Sequence, residues 1–257
     1  MKFLKHVTNQ RLRLLAVALM IGTLTLDAGV LELRYLVPIT VLPSDSNFIN
    51  NPQSNGELLV RLSEARGKPC DMIFIGASNV EYWNTEGSAI WDKYYAPRNA
   101  FNFGVAGDKT ENVLWRFDHM NLSGLKPKVA VIFIGLNNFT DTPHEIALGV
   151  EAVMKKTQET FPGIKVLLVS LTPNDRDNVT VEQANQLIRS YADNQTVFYI
   201  DIYSKMPREG DNWRGLKGDH LHMTEEGYKV WADEMEPTLH QILPAHWTGP
   251  DKDSASR

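Results

Sequence analysis

Five short, almost wholly apolar runs recur along this chain, and they limit its fold more than any other feature. They span residues 72–75, 100–103, 129–134, 166–171 and 197–202. Segments with the apolar spacing of helices lie among them, at about 109–119, 143–160, 180–194 and 224–243. Strands that are apolar on both faces indicate a parallel sheet covered on both sides by helices. With right-handed crossovers, the pattern predicts a three-layer α/β/α domain around a doubly wound, five-stranded parallel sheet.

The N-terminal part of the chain has a different character. Basic residues between positions 2 and 13 precede an apolar run at 14–26, which is typical of a signal peptide or an uncleaved membrane anchor. We therefore expect residues 1–42 to bring the chain to or across a membrane, which places the domain in the periplasm or outside the cell. The alternative is a buried helix of a soluble protein.

The remaining boundaries follow from local composition. Residues 43–56 are rich in turn formers and predict a linker. The domain itself is predicted over 57–246, and it opens with a covering helix at 57–65. The polar stretch 247–257 predicts a disordered tail.

Charge and cysteine content exclude several classes of function. The net charge is −5 and the folded part has no block of Lys or Arg, so the sequence lacks the electrostatic footprint of a nucleic-acid-binding protein. The single cysteine, Cys70, excludes an internal disulfide and a thiolate metal cluster. His220 and His222 have no matching set of ligands, and the loop 104–107 lacks the Lys and Ser/Thr of a phosphate-binding loop. We therefore expect neither a metal nor another cofactor.

Ser78 stands at the carboxyl end of the first predicted strand, where open α/β sheets place their chemistry. Taken alone, such a serine is more often a helix cap than a nucleophile, because a nucleophile also needs a base and an oxyanion site. Gly107 and Asn137 follow the second and third strands, so we expect them at the same edge of the sheet. Gly107 allows a backbone N–H to approach a ligand closely, and Asn137 offers a neutral amide donor.

A candidate base lies in the loop before the last predicted helix. Asp219 and His222 are three residues apart, so in a tight turn the carboxylate can reach the Nδ1 atom of the imidazole. That contact leaves Nε2 to take a proton from a serine. His220 competes for the same role, but it is adjacent to Asp219 and is expected to point elsewhere. An ordinary loop histidine is the alternative for His222.

Taken together, these motifs resemble the SGNH hydrolases, also called the GDSL esterase family. The blocks are Gly-Ala-Ser at 76–78, Asn-Phe-Gly-Val-Ala-Gly at 102–107, Gly-Leu-Asn-Asn at 135–138 and Asp-x-x-His at 219–222. Within the family, residues 102–116 are particularly similar to the catalytic subunits of the intracellular platelet-activating-factor acetylhydrolases. The resemblance covers about residues 57–243 and implies a flavodoxin-like sheet.

The resemblance also implies a role for each candidate residue. Ser78 matches the nucleophile, His222 the general base and Asp219 its orienting partner. The Ser78 and Gly107 N–H groups and the Asn137 amide match the oxyanion hole. One position departs from the family, since Ala77 stands where an Asp usually precedes the nucleophile. Ala77 cannot accept hydrogen bonds from neighbouring loops, which puts local rigidity and substrate preference in doubt.

The sequence thus predicts a serine esterase that hydrolyses a short acyl ester, with acetyl as the group that the family implies. An acetylated carbohydrate or an acetylated lipid is the expected substrate. One alternative is an O-acyltransferase that passes the acyl group to a glycan, because its triad would be identical. A second is a non-catalytic ligand-binding module that kept the fold. The oligomeric state stays open.

Three further polar or aromatic features have open interpretations. Asp108 and Arg116 are expected either to form a structural pair behind the oxyanion loop or to contact substrate. Trp213, in the long loop before Asp219, is a candidate wall for an acyl or sugar site. Asn138 is expected to cap a turn.

Overall fold

The computed structural model describes residues 37–210 and 212–243, which belong, apart from Val37, to the unit Pro38–Arg257. The predicted signal peptide or anchor lies outside the described residues except for 37–42, and the predicted tail 247–257 lies wholly outside them. In the described part of the chain, no helix combines the length and the apolar character needed to cross a membrane.

Five parallel strands form the predicted sheet. They are β1 (Met72–Gly76), β2 (Ala100–Gly104), β3 (Val129–Phe133), β4 (Lys165–Val169) and β5 (Val197–Ile200). The strand order is β2-β1-β3-β4-β5 and every pair is parallel, which confirms the doubly wound α/β fold. Since the chain reverses direction across the sheet between β1 and β3, the crevice beyond their carboxyl ends is the usual ligand site of such a fold.

Helices and short turns account for most of the remaining described chain. The helices are α1 (Ser46–Asn50), α2 (Pro52–Ala65), α3 (Ser78–Glu81), α4 (Ser88–Tyr94), α5 (Thr110–His119), α6 (Pro143–Thr160), α7 (Asn178–Arg189) and α8 (Glu225–Ile242). Single 3-10 turns occupy Ile39–Val41, Tyr82–Asn84, Ala96–Arg98 and Leu136–Asn138. A small antiparallel pair, β6 (Arg208–Glu209) and β7 (Asn212–Trp213), precedes the last loop.

Alternate residues of each strand feed a separate hydrophobic core on each face of the sheet. On β1, Ile73 and Ile75 join the core formed with α2, α5, α6 and α7. Met72 and Phe74 join the core formed with α4 and α8. All five residues of β1 are buried, because a central strand has helices on both faces.

The segment 43–56, predicted as a linker, is partly helical and packs on the domain. It contains α1 and the first turn of α2, which therefore begins at Pro52 and not at residue 57. Asn51 caps α2, and Pro52 at the first helical position is preorganised for it. The side chains of Asn47 and Asn51 donate hydrogen bonds to the Ala106 carbonyl at 2.9 and 2.7 Å. Turn-forming residues thus act here as caps and as donors to the domain.

Candidate active site

The sharp turn after β1 places Ser78 at the edge of the sheet. Ala77 is the N-cap of α3 and makes no side-chain cap hydrogen bond, while Ser78 is the first helical residue. Gly76 is required before the turn, because an added Cβ would lie 2.1 Å from the Phe133 carbonyl oxygen. The Ser78 hydroxyl is 3.0 Å from His222 Nε2. Ser78 therefore lies beside an imidazole nitrogen and does not serve as a helix cap.

His222 is held on its other side by Asp219. Its Nδ1 atom lies 2.6 Å from Asp219 Oδ2. Asp219 Oδ1 accepts hydrogen bonds from the N–H groups of Leu221 and His222, both at 3.0 Å. Burial would raise the pKa of Asp219, but the hydrogen bonds from His222 and Leu221 outweigh it and lower the pKa to about 2. An ionised Asp219 keeps the proton on Nδ1 and leaves Nε2 free to accept one.

The structure separates the two candidate histidines. His220 has a left-handed backbone, with φ 52°. Its Nδ1 atom lies 3.4 Å from Asp175 Oδ1 in the loop before α7. Only His222 of the two is within hydrogen-bonding distance of Ser78. His220 thus contacts a different residue from His222, as its position next to Asp219 predicts.

Asn137 and Gly107 follow β3 and β2 at the same edge. Asn137 lies in the 3-10 turn Leu136–Asn138, and its Nδ2 donates to the Asp108 carbonyl at 2.9 Å. That bond sets Asn137 against the turn that contains Gly107, whose φ of 81° favours glycine. A side-chain amide has two N–H donors, so this bond leaves a second one.

Ser78 and Asn137 line one small cleft, whose cavity volume is about 10 Å³. Ala77, Asn79, Leu136 and Leu221 are among the other residues of its wall. The volume is below the range usual for drug-sized ligands.

A buried ion pair supports the turn behind Gly107. Arg116 donates to both carboxylate oxygens of Asp108, at 2.6 and 2.8 Å, and both side chains are almost wholly buried. Asn47 adds a donor to the same carboxylate at 2.6 Å. Burial at this depth favours the structural pair over a contact with substrate.

The backbone of Ala106, in the loop after β2, is bound by three side chains. The N–H of Ala106 donates to Glu81 Oε2 at 2.5 Å. Burial raises the pKa of Glu81, and this hydrogen bond opposes the rise. Glu81 thus binds the N–H of Ala106, and Asn47 and Asn51 bind its carbonyl, so both backbone groups of Ala106 have partners.

Asn79 is a site residue that the sequence did not reveal. Its side chain donates to the Leu221 carbonyl and accepts from the Met223 N–H, both at 3.1 Å. Its own carbonyl accepts a hydrogen bond from the Tyr228 hydroxyl at 2.9 Å. A polar amide directly after Ser78 was the only signal available in the sequence.

Tyr82 and Arg176 also border the site without having been predicted. The Tyr82 ring packs on the His222 ring, with centroids 5.1 Å apart. Arg176 Nη1 lies 3.2 Å from the Leu136 carbonyl and 3.5 Å from Asn137 Oδ1. The Arg176 guanidinium also stacks 4.4 Å from the Phe139 ring centroid. Tyr82 lies in a 3-10 turn and Arg176 in the loop before α7, and neither stretch of sequence shows a motif.

Two weaker predictions have different outcomes. Trp213 lies in β7 with the Arg208 guanidinium 5.0 Å from its ring, and it does not line the cleft beside Ser78. Its predicted role as a wall is therefore not supported. Asn138 accepts from the N–H of Thr110, the first residue of α5, at 3.1 Å, so it caps that helix from another turn.

Residues 37–210 and 212–243 contain no group of three or more His, Cys, Asp or Glu that could hold a metal ion.

Comparisons with known proteins add to this geometry. The profile of the GDSL-like lipase/acylhydrolase family matches residues 74–230. Platelet-activating factor acetylhydrolase IB subunit alpha2 from Rattus norvegicus is 34% identical over 186 residues, covering 70% of this chain and 80% of the relative. Subunit alpha1 from Homo sapiens is 27% identical over 188 residues, covering 71% and 80%. A GDSL-like lipase structure from Bacteroides thetaiotaomicron gives a TM-score of 0.60 at 20% identity, covering 74% of this chain and 99% of that one.

Proposed function

We propose that this chain, which belongs to the GDSL-like lipase/acylhydrolase family and is an ester hydrolase, acts through Ser78, His222 and Asp219 on esters of a short acyl group. One observation carries the proposal. Ser78 Oγ, the two ring nitrogens of His222 and Asp219 Oδ2 form a continuous line of contacts at 3.0 and 2.6 Å. That arrangement is the one a serine needs to become a nucleophile at neutral pH.

In the first half of the reaction, Ser78 Oγ attacks the carbonyl carbon of the ester. Its proton moves to His222 Nε2, and the imidazolium is stabilised by Asp219. The bond from the carbonyl carbon to the alcohol oxygen then breaks. His222 returns the proton to that oxygen, so a neutral alcohol leaves and Ser78 carries the acyl group.

In the second half, water replaces the alcohol. His222 Nε2 takes a proton from the water as its oxygen attacks the acyl carbon. The bond to Ser78 Oγ breaks and the proton passes back to Ser78. One carboxylic acid is released and the starting state is restored.

The oxyanion of both tetrahedral intermediates is assigned to three donors. They are the Ser78 and Gly107 N–H groups and the second N–H of the Asn137 amide. Support comes from the Asn137–Asp108 bond, which orients the amide, and from the cleft that Asn137 shares with Ser78. Losing one such donor typically costs roughly 3–4 kcal/mol of transition-state stabilisation.

Acetyl is the acyl group we propose. The small cleft supports it, and so does the name acetylhydrolase carried by relatives such as the Rattus norvegicus subunit. We also propose that residues 1–42 direct the chain to or across a membrane, on the strength of the basic residues and the apolar run 14–26. An acetylated lipid fits the relatives' name, and an acetylated carbohydrate fits an exported enzyme.

A panel of p-nitrophenyl esters of increasing chain length tests the proposal on the full-length protein. We expect the acetate to be turned over fastest and Ser78→Ala to be inactive but folded. Ser123→Ala, an exposed serine in a distant loop, is the matched control and should behave as wild type. A fluorophosphonate probe should label Ser78 alone. Adding a sugar acceptor separates hydrolysis from acyl transfer, because a transferase would divert the acyl group from water.

A further inference from the structure

The exposed apolar side chains of the domain are concentrated at the edge of the sheet that carries Ser78. Nine large apolar side chains of the described residues are at least about a third exposed. Six of them form what we name the rim patch, namely Ile39, Leu42, Phe48, Ile49, Phe139 and Val179. Each lies on a loop, a helix start or the N-terminal segment at the carboxyl edge of the strands. The other three, Leu59, Val60 and Leu187, lie further along their helices.

In the N-terminal part of the rim patch, two polar side chains bind the domain while two neighbouring apolar side chains are exposed, together with the polar Asp45, Ser46 and Asn50. Thr40 is fully buried, and its hydroxyl donates to the Glu145 carbonyl at 2.8 Å. Its neighbour Ile39 is 62% exposed. In α1, Asn47 binds the Ala106 carbonyl while Ile49 is 67% exposed. The apolar exposure here is informative because several large side chains share one edge of the domain.

The position of this segment links it to the start of the chain. The hydrogen bonds of Thr40 to α6 and α5 place the first described residues at the edge that carries Ser78. The apolar run 14–26 precedes them in the sequence. A segment of that composition and the rim patch would both favour the same apolar surroundings.

We propose that the rim patch rests on a lipid bilayer, so that the cleft beside Ser78 opens toward the membrane. The net charge of −5 gives no reason to expect attraction to anionic lipid, so apolar insertion is the driving force. The consequence for catalysis rests on the proposed esterase: an ester of a membrane lipid would reach Ser78 without leaving the bilayer surface. The placement of the rim patch does not rest on it.

Site-specific labelling of the full-length protein tests the placement directly. Cys70 is only 7% exposed and burial raises its pKa to about 12, so the native thiol should take no label near neutral pH. An environment-sensitive fluorophore is attached at Ile49→Cys or at Leu187→Cys. In phosphatidylcholine vesicles with brominated acyl chains, we expect a blue shift and quenching at position 49 and neither at position 187.

A second arm measures the consequence for catalysis. Ile39→Ser/Ile49→Ser removes two apolar side chains from the rim patch, and Val60→Ser/Leu187→Ser removes two from elsewhere as a matched control. We expect the rim variant to hydrolyse an acetyl ester of a vesicle-borne lipid about tenfold more slowly, since each lost apolar contact weakens insertion. Its turnover of soluble p-nitrophenyl acetate should equal that of the control and of wild type.

Each unfavourable outcome has a defined meaning. A label at position 49 that stays in water, or responds like the one at 187, overturns the proposal. So does equal hydrolysis of the vesicle ester by both double variants. Pyrene excimer emission at position 49 in place of lipid quenching would show that a second copy of the chain covers the rim patch instead. Absence of esterase activity toward any ester would reject the proposed function, while the labelling result still decides the placement.

Discussion

Asn79 accepts a hydrogen bond from the N–H of Met223 at 3.1 Å, which ties the residue after the candidate nucleophile to the residue after the candidate base. The same side chain donates to the Leu221 carbonyl on the other side of His222. Asn79 is therefore a positioning residue, since it holds the loop that carries Asp219 and His222 in register with Ser78. The side chain is 3% exposed, so water cannot replace these bonds.

Replacing Asn79 by leucine should lower kcat about tenfold or more with little change in KM, because the loop shifts and two buried backbone groups lose their partners. Asn79→Asp keeps the acceptor for Met223 and loses the donor for Leu221, so an intermediate kcat is expected. The rate of fluorophosphonate labelling of Ser78 should fall in the same order. A thermal melt checks folding, and unchanged labelling in a destabilised variant would make Asn79 a purely structural residue.

The choice between the two histidines gives the second prediction. His222→Ala should remove nearly all ester hydrolysis, because Ser78 loses its proton acceptor. His220→Ala should cost much less, since it breaks only the 3.4 Å contact with Asp175. Steady-state turnover of p-nitrophenyl acetate measures both. An active His222→Ala beside an inactive His220→Ala would show that the triad is assigned to the wrong residue.

The sequence was sufficient for the fold because its strands are apolar on both faces. All five predicted strands are present, and the predicted helix at 143–160 matches α6. The family resemblance is confirmed by the match over residues 74–230. Element ends were less predictable, because side chains decide them. Helix α7 ends at Arg189, before the predicted 194, and the Asp193 carboxylate then accepts three backbone N–H bonds in the following turn.

The hydrogen bonds that support the candidate site from neighbouring residues could not be predicted from the sequence. The partners of Asn79 lie more than a hundred positions away, and only the folded chain brings them together. The segment 43–56 was interpreted as a linker because its asparagines are common in turns. In the structure, two of them bind the carbonyl of Ala106. Local composition cannot distinguish these two uses of the same residue type.

Asn137 gives a prediction about the transition state. Asn137→Ala should lower kcat about a hundredfold with little change in KM, because its amide acts on the developing oxyanion. Asn138→Ala, at the adjacent position, is the comparison, since Asn138 is fully buried and binds Thr110 instead. It should lower thermal stability with a smaller effect on kcat. A loss of affinity alone in Asn137→Ala would make Asn137 a binding residue.

Asp219 should make stability depend on pH in the acid range. Hydrogen bonds lower its folded pKa to about 2, below the value of about 3.9 for an unfolded Asp. Its contribution is therefore fully present above the unfolded pKa and is lost as pH falls toward the folded one. Urea midpoints of wild type and Asp219→Asn should differ at pH 5 and converge between about 4 and 2. A constant difference down to pH 2 would contradict the lowered pKa.

Arg176 provides the last prediction, which concerns the orientation of Asn137. Its guanidinium reaches the Asn137 Oδ1 atom at 3.5 Å while Asn137 Nδ2 is committed to the Asp108 carbonyl, so both ends of the amide have partners that favour one orientation. Arg176→Gln removes the cation and should lower kcat roughly threefold to tenfold for an uncharged ester, because the side chain is exposed and its charge is screened. The loss should be larger at low ionic strength, where the lost cation acts more strongly on the oxyanion. Arg189→Gln, at the far end of α7, is the matched control and should leave kcat unchanged at every salt concentration. A change in KM alone for Arg176→Gln would instead make Arg176 a contact for the bound substrate.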